Sequence, residues 1–179
     1  MPSLYLHAAA CEFCKKLADR GERVPDIAFA GGFSSEDGVF KALALGSPFT
    51  KAVCMGRALM IPSMVGKNIE QWLKDSKLPN TVSQFGLTPE EIFINYEDVK
   101  EIVGSDEMKN IPLGVVGFYS YSDKVRVGLQ QLMAGARCFS VPTITRREIM
   151  SLTEECTKIT GIPYLMDAYR EEAMQILNS

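Results

Sequence analysis

The chain has 179 residues, 46% of them apolar and 23% charged, which predicts one domain or slightly more, supplies enough apolar content for a core and excludes disorder. Lys and Arg number 19 against 22 Asp and Glu, a net charge of −3, so no nucleic-acid partner is expected. No stretch holds the roughly 18 apolar residues of a membrane span, and Met1-Pro2-Ser3-Leu4 does not open a secretory signal, so no membrane partner is expected either.

Residues 4–20 are rich in helix formers and run to Gly21, a helix-stopping position. Ile27-Ala28-Phe29-Ala30 is a short apolar run closed by Gly31-Gly32. Its continuous apolarity predicts a strand buried on both faces. Ser34 and Ser35 can cap a helix whose first turn holds Glu36 and Asp37, and that helix stops at Gly46. A second strand, 50–55, closes at Gly56-Arg57, and a helical segment continues over 58–64. Strand, helix and strand with Gly at each carboxyl end read as consecutive βα units of a parallel sheet.

Beyond residue 65 the pattern is helical. A polar connection spans 79–88. Thr88-Pro89-Glu90-Glu91 is a capping box with Pro at the first helical position, predicting one to three turns. Residues 95–98 start another helix that ends at Gly104. Residues 122–138 carry a helical apolar period, and Gly128, Ala134 and Gly135 offer a neighbouring backbone close approach. Thr145-Arg146-Arg147-Glu148 is a second capping box, predicting a helix to about Thr160 with both arginines exposed. Asp167 can cap a last helix over 168–177.

The five cysteines, at 11, 14, 54, 138 and 156, form an odd, scattered set, which argues against a disulfide framework and for a cytoplasmic location. Cys11-x-x-Cys14 lies inside a helical segment and lacks a second pair for zinc, so it reads as two core cysteines. His7 is the one histidine and reads as a packing or surface residue. Lys41 is expected to face solvent. No metal ligand set and no catalytic residue are assigned.

The chemistry lies at 28–60. Gly31-Gly32 and Gly56-Arg57 sit one βα unit apart. Glycines at such turns let backbone N–H groups close on a phosphate, and Arg57 adds a planar, charged fork of donors. Spacing alone also fits two ordinary strand-to-helix turns.

Residues 27–60, with the run Val39-Phe40-Lys41-Ala42-Leu43-Ala44-Leu45-Gly46 between the two glycine turns, resemble strand 7, helix 7 and strand 8 of FMN-dependent αβ-barrel oxidoreductases. Residues 127–137 and 160–164 extend a resemblance to the FMN-binding domain of glutamate synthase and its stand-alone relatives. The resemblance implies an α/β chain of partial TIM-barrel-type βα units (residues 1–65) followed by a mainly helical C-terminal extension (66–179). It implies FMN as cofactor, with Gly31, Gly32, Phe33, Gly56 and Arg57 at its phosphate. It also implies an oxidoreductase that forms glutamate from 2-oxoglutarate and ammonia-derived nitrogen. Ser34, Glu36 and Gly38 depart from the family's pattern. A full barrel needs about 200–250 residues, so strands 1–6 are expected outside this chain, which is expected to be inactive alone. A homo-oligomer or a complementary N-terminal barrel segment would be its partner. The rival reading is a non-catalytic helical assembly module.

Overall fold

The structure is a computed structural model that describes residues 2–179. Helix α1 (Ser3–Asp19) is followed by β1 (Ile27–Ala30), α2 (Glu36–Gly46), β2 (Thr50–Cys54) and α3 (Arg57–Lys74). The single-turn helices α4 (Asn80–Ser83) and α5 (Pro89–Ile92) lead to α6 (Tyr96–Val103), α7 (Ser105–Met108) and the long α8 (Leu113–Gly135). Two 3-10 turns at Val141–Thr143 and Arg146–Glu148 precede α9 (Glu154–Thr160), α10 (Leu165–Ala168) and α11 (Arg170–Leu177). Two compact units result: Met1–Cys54 with Leu129–Ser179, and Met55–Gly128.

In the first unit β1 and β2 pair in parallel, with Phe29 opposite Val53 and Ala30 opposite Cys54. The intervening α2 is the crossover that parallel pairing requires. Phe29 is the centre of a small core with Cys11 and Ala42, edged by Ile27, Phe33 and Val53. Helix α1 covers this core through its buried His7, Ala8, Cys11 and Cys14. It ends in a Schellman arrangement: Gly21, at φ +70°, donates to Ala18 O at 2.9 Å, and Glu22 donates to Leu17 O at 3.0 Å. At Gly46, the last residue of α2, the packing leaves no room for a side chain. A Cβ would collide with the Thr50 side chain and stand 3.0 Å from the Phe29 ring.

The second unit has its own core of Ile69, Phe93, Val99, Met108, Leu113 and Val116. Glycines set its central helix contact. A Cβ on Gly66 of α3 would collide with the Leu113 carbonyl, and one on Gly114 would lie 2.8 Å from Ser63 O. A Cβ on Gly117 would collide with the Pro62 carbonyl. Backbones of α3 and α8 therefore touch directly at 62–66 and 113–117. The sequence pattern assigned close approach further along α8, at Gly128, Ala134 and Gly135, yet a Cβ on Gly135 would meet nothing within 4 Å.

Helix α8 has no acidic residue in its first turn. Glu70 of α3 supplies the missing charge: its Oε2 accepts from the Leu113 backbone N–H at 3.1 Å, while its Oε1 takes Lys74 Nζ at 2.6 Å. The Lys74 bond first, and the Leu113 bond after it, hold the Glu70 carboxyl below its ordinary range. A depressed carboxyl contributes stability that is full above the unfolded value, about 4.3, and lost as pH falls through the folded one. Glu70→Gln should therefore cost about 1 kcal/mol at pH 7, the scale of a helix-terminal cap partly screened by solvent. The deficit should shrink towards zero near pH 3. Urea titrations of both proteins at the two pH values check this, and a deficit of equal size at both would refute it.

The expected class, α/β with partial TIM-barrel-type βα units, is not what forms. The chain is mainly helical, and its one sheet has two strands among the described residues. The local βαβ unit at 27–54 is as expected, but beyond Cys54 the chain enters an 18-residue helix and a succession of further helices. Among the described residues no extended segment pairs with the free strand edges. Nor are the strands buried on both faces: Phe29 is 2% exposed, whereas Ala28, Ala30, Ala52 and Cys54 are open to solvent. Continuous apolarity here comes from small alanines, whose side chains lose little by exposure. Among the described residues no helix is long and apolar enough to cross a membrane.

Candidate phosphate-binding turns

Strand β1 stops at Ala30 because the next two residues leave the extended region, Gly31 at φ +130° and Gly32 at φ +77°. Only glycine takes both angles without strain. The two turn glycines differ in surroundings. A Cβ on Gly31 would stand 2.5 Å from Ser3 Oγ, so that side is occupied by α1. A Cβ on Gly32 would meet nothing within 4 Å, and its backbone is exposed. Phe33 turns its half-buried ring back towards the core, where its Cδ1 lies 3.6 Å from the Cβ position of Gly38.

Strand β2 stops beside β1, at Cys54 opposite Ala30. After Met55 the second unit opens with Gly56 at the N-cap of α3 and Arg57 as its first residue, both exposed. No side chain caps this 18-residue helix and its first turn carries no acid. Its leading N–H groups and the Arg57 guanidinium make a positive helix start. Gly56, at φ −108°, has an angle any residue can adopt, and a Cβ there would also meet nothing within 4 Å.

The residues at the start of α2 are acidic. Asp37 is ionised over nearly the whole pH range. A hydrogen bond from Lys41 Nζ at 2.8 Å, and one from the Ser35 hydroxyl, bring its carboxyl down to about 2. The exposed Lys41 is thus the i+4 partner of Asp37. Glu36 Oε2 is buried with no hydrogen-bond partner among the described residues.

Other expectations sort cleanly. Cys11 and Cys14 are buried free thiols, and burial pushes the Cys11 thiol up. His7 is buried as a packing residue, but it also makes a directed hydrogen bond to the backbone at the end of β1, which no local spacing reveals. Arg147 is exposed as expected, whereas Arg146 is half-buried and bonded to two helix ends. A cavity of about 500 Å³ in the first unit, lined by Leu4, Phe40, Leu45, Ile149, Cys156 and Ile162 among others, has no counterpart in the sequence reading.

No family model, no curated protein and no solved structure matches the chain.

Proposed function

We propose that this chain supplies the flavin-phosphate site of an FMN-dependent oxidoreductase of the glutamate-synthase type, which forms glutamate from 2-oxoglutarate and ammonia-derived nitrogen. The observation that supports this reading most is the turn at Gly31-Gly32, with both residues at positive φ and Gly32 open to solvent. That is the backbone condition for N–H groups to reach phosphate oxygens. In this reading Gly31, Gly32 and Phe33 donate backbone N–H groups. Gly56 and Arg57, the uncapped start of α3, are a second anion-binding element by themselves, where the Arg57 guanidinium offers a charge-assisted contact. Bound FMN supplies the redox chemistry, while the residues of this chain bind and orient its phosphate. Glu36 works against an anion and limits affinity.

Titration of FMN into the chain, with riboflavin as the phosphate-free control, tests the reading. Arg57→Ala removes a contact worth about 1.5–3 kcal/mol, so FMN affinity should fall about tenfold to hundredfold with riboflavin unchanged. Gly56→Val places a branched side chain in space that is empty in the fold, so it should block the phosphate while leaving the thermal midpoint in place. Glu36→Gln should tighten FMN only. The reading fails if riboflavin is weakened as much as FMN, or if neither Gly56 nor Arg57 matters.

A further inference from the structure

Spacing in the sequence does not connect His7 with residues 31–33, yet the fold sets its imidazole against that turn. The ring is 8% exposed. It lies flat on Phe29, with centroids 3.8 Å apart and planes 4° from parallel, and it also stacks with Phe33 at 5.7 Å and 14°. Its Nε2 is 3.1 Å from the Ala30 carbonyl. A carbonyl only accepts, so Nε2 carries the proton and donates it to the last residue of β1. One turn earlier on α1, Ser3 fills the space over Gly31. Helix α1 therefore holds the turn from both sides in sequence: Phe29 and Ala30 before it, Gly31 and Phe33 within it. Gly32 alone is left open.

We infer that His7 is a positioning residue for the Gly31-Gly32-Phe33 turn, fixing its backbone N–H groups for an anion by the Nε2–H bond to Ala30. The identity of that anion, the phosphate of FMN, rests on the function proposed above. The positioning itself rests on the geometry alone. Packing by itself would be served by phenylalanine at this place, whereas imidazole adds a donor at the ring edge that meets the carbonyl. A turn held before its ligand arrives spends less binding free energy on ordering.

The experiment compares His7→Phe, which keeps a ring and loses the donor, with His7→Gln, which keeps an N–H donor and loses the ring. Backbone amide order parameters at Gly31, Gly32 and Phe33 are measured by NMR relaxation in the full chain, alongside FMN and riboflavin titrations. His7→Phe should lower them from the roughly 0.85 of rigid backbone to below about 0.6. It should weaken FMN about threefold to tenfold and leave riboflavin unchanged. His7→Gln should stay near the native protein on both readouts. Native-like order parameters in His7→Phe overturn the inference, as does a turn as mobile in His7→Gln as in His7→Phe. If His7→Phe does not fold, His7→Gln decides alone: native-like order supports the inference and values below about 0.6 overturn it. If the order parameters behave as expected but the native chain binds no FMN, the positioning role stands and the FMN reading falls.

Discussion

Replacing Arg146 with Ala should lower the unfolding free energy of the protein by about 3 kcal/mol, the sum expected for two charge-assisted bonds whose acceptors are left half-buried. Arg146 Nη1 donates to Leu45 O at 2.7 Å, and Nη2 donates to Thr160 O. Leu45 lies in the last turn of α2 and Thr160 is the last residue of α9, so one guanidinium satisfies carbonyls at two helix C-termini. Both ends carry the negative pole of a helix dipole, which favours the cation further. Gly161, in the left-handed region at φ +67°, ends α9 with its Cβ position 3.6 Å from the same guanidinium. Arg146→Lys keeps the charge but cannot serve both acceptors with a planar fork, and should fall between the two. Arg147→Ala is the control: this neighbour is exposed and should stay within about 0.5 kcal/mol of the native protein. Urea denaturation followed by circular dichroism ranks the three. Equal midpoints for Arg146→Ala and Arg147→Ala would remove Arg146 from any role in joining the helix ends.

The second large effect is expected at Gly117, and its sign opposes helix propensity. In an isolated helix Gly→Ala is favourable by about 1 kcal/mol. At Gly117 a Cβ would run into the backbone carbonyl of Pro62 and stand 3.2 Å from its carbon and 3.7 Å from the Gly66 Cα. Backbone cannot rotate aside as a side chain can, so α3 and α8 must separate. That opens the core around Ile69, Leu113 and Val116, and overpacking of this kind costs about 1–3 kcal/mol or more. Gly117→Ala should therefore destabilise by about 2 kcal/mol net. Gly135→Ala, on the same helix where a Cβ meets nothing within 4 Å, should be neutral or stabilising by up to about 1 kcal/mol. Thermal melts of the pair check the contrast, and a stabilised Gly117→Ala protein would mean that the two helices have room to spare.

Much of the local structure is legible in the sequence because its causes are local. The stop at Gly21, the strand at 27–30, the helix ending at Gly46 and the second strand from Thr50 each depend on neighbours within a few residues. So do the two capping boxes. Glu91 Oε2 accepts from the Thr88 N–H at 3.2 Å, and Glu148 Oε2 accepts from the Thr145 N–H at 2.6 Å. How far a helix runs after its start is a different matter. The box at Thr145 opens one 3-10 turn and not a helix to Thr160. Ser151 donates to Pro163 O at 2.8 Å and accepts from the Leu165 N–H at 2.9 Å, which pulls that segment out of helical geometry. A new start at Thr153, whose side chain caps Cys156, then forms α9. The last helix forms as α11, but Asp167 lies within α10 and Tyr169 stands at the N-cap instead.

For the candidate site, the sequence by itself determined the two glycine turns, because Gly31 and Gly32 take positive φ without strain and Gly56 brings no Cβ. The tertiary structure decided how those turns are held. Ser3 against Gly31 and His7 on Ala30 are contacts across more than twenty residues, and they exist only once α1 has packed over the Phe29 core. It also decided the architecture. A parallel pair is specified locally by two apolar runs and a crossover helix, but a barrel needs further strands to fill each open edge. Here the chain beyond Cys54 satisfies its backbone within helices instead, and buries Gly66 against Leu113 in a core of its own.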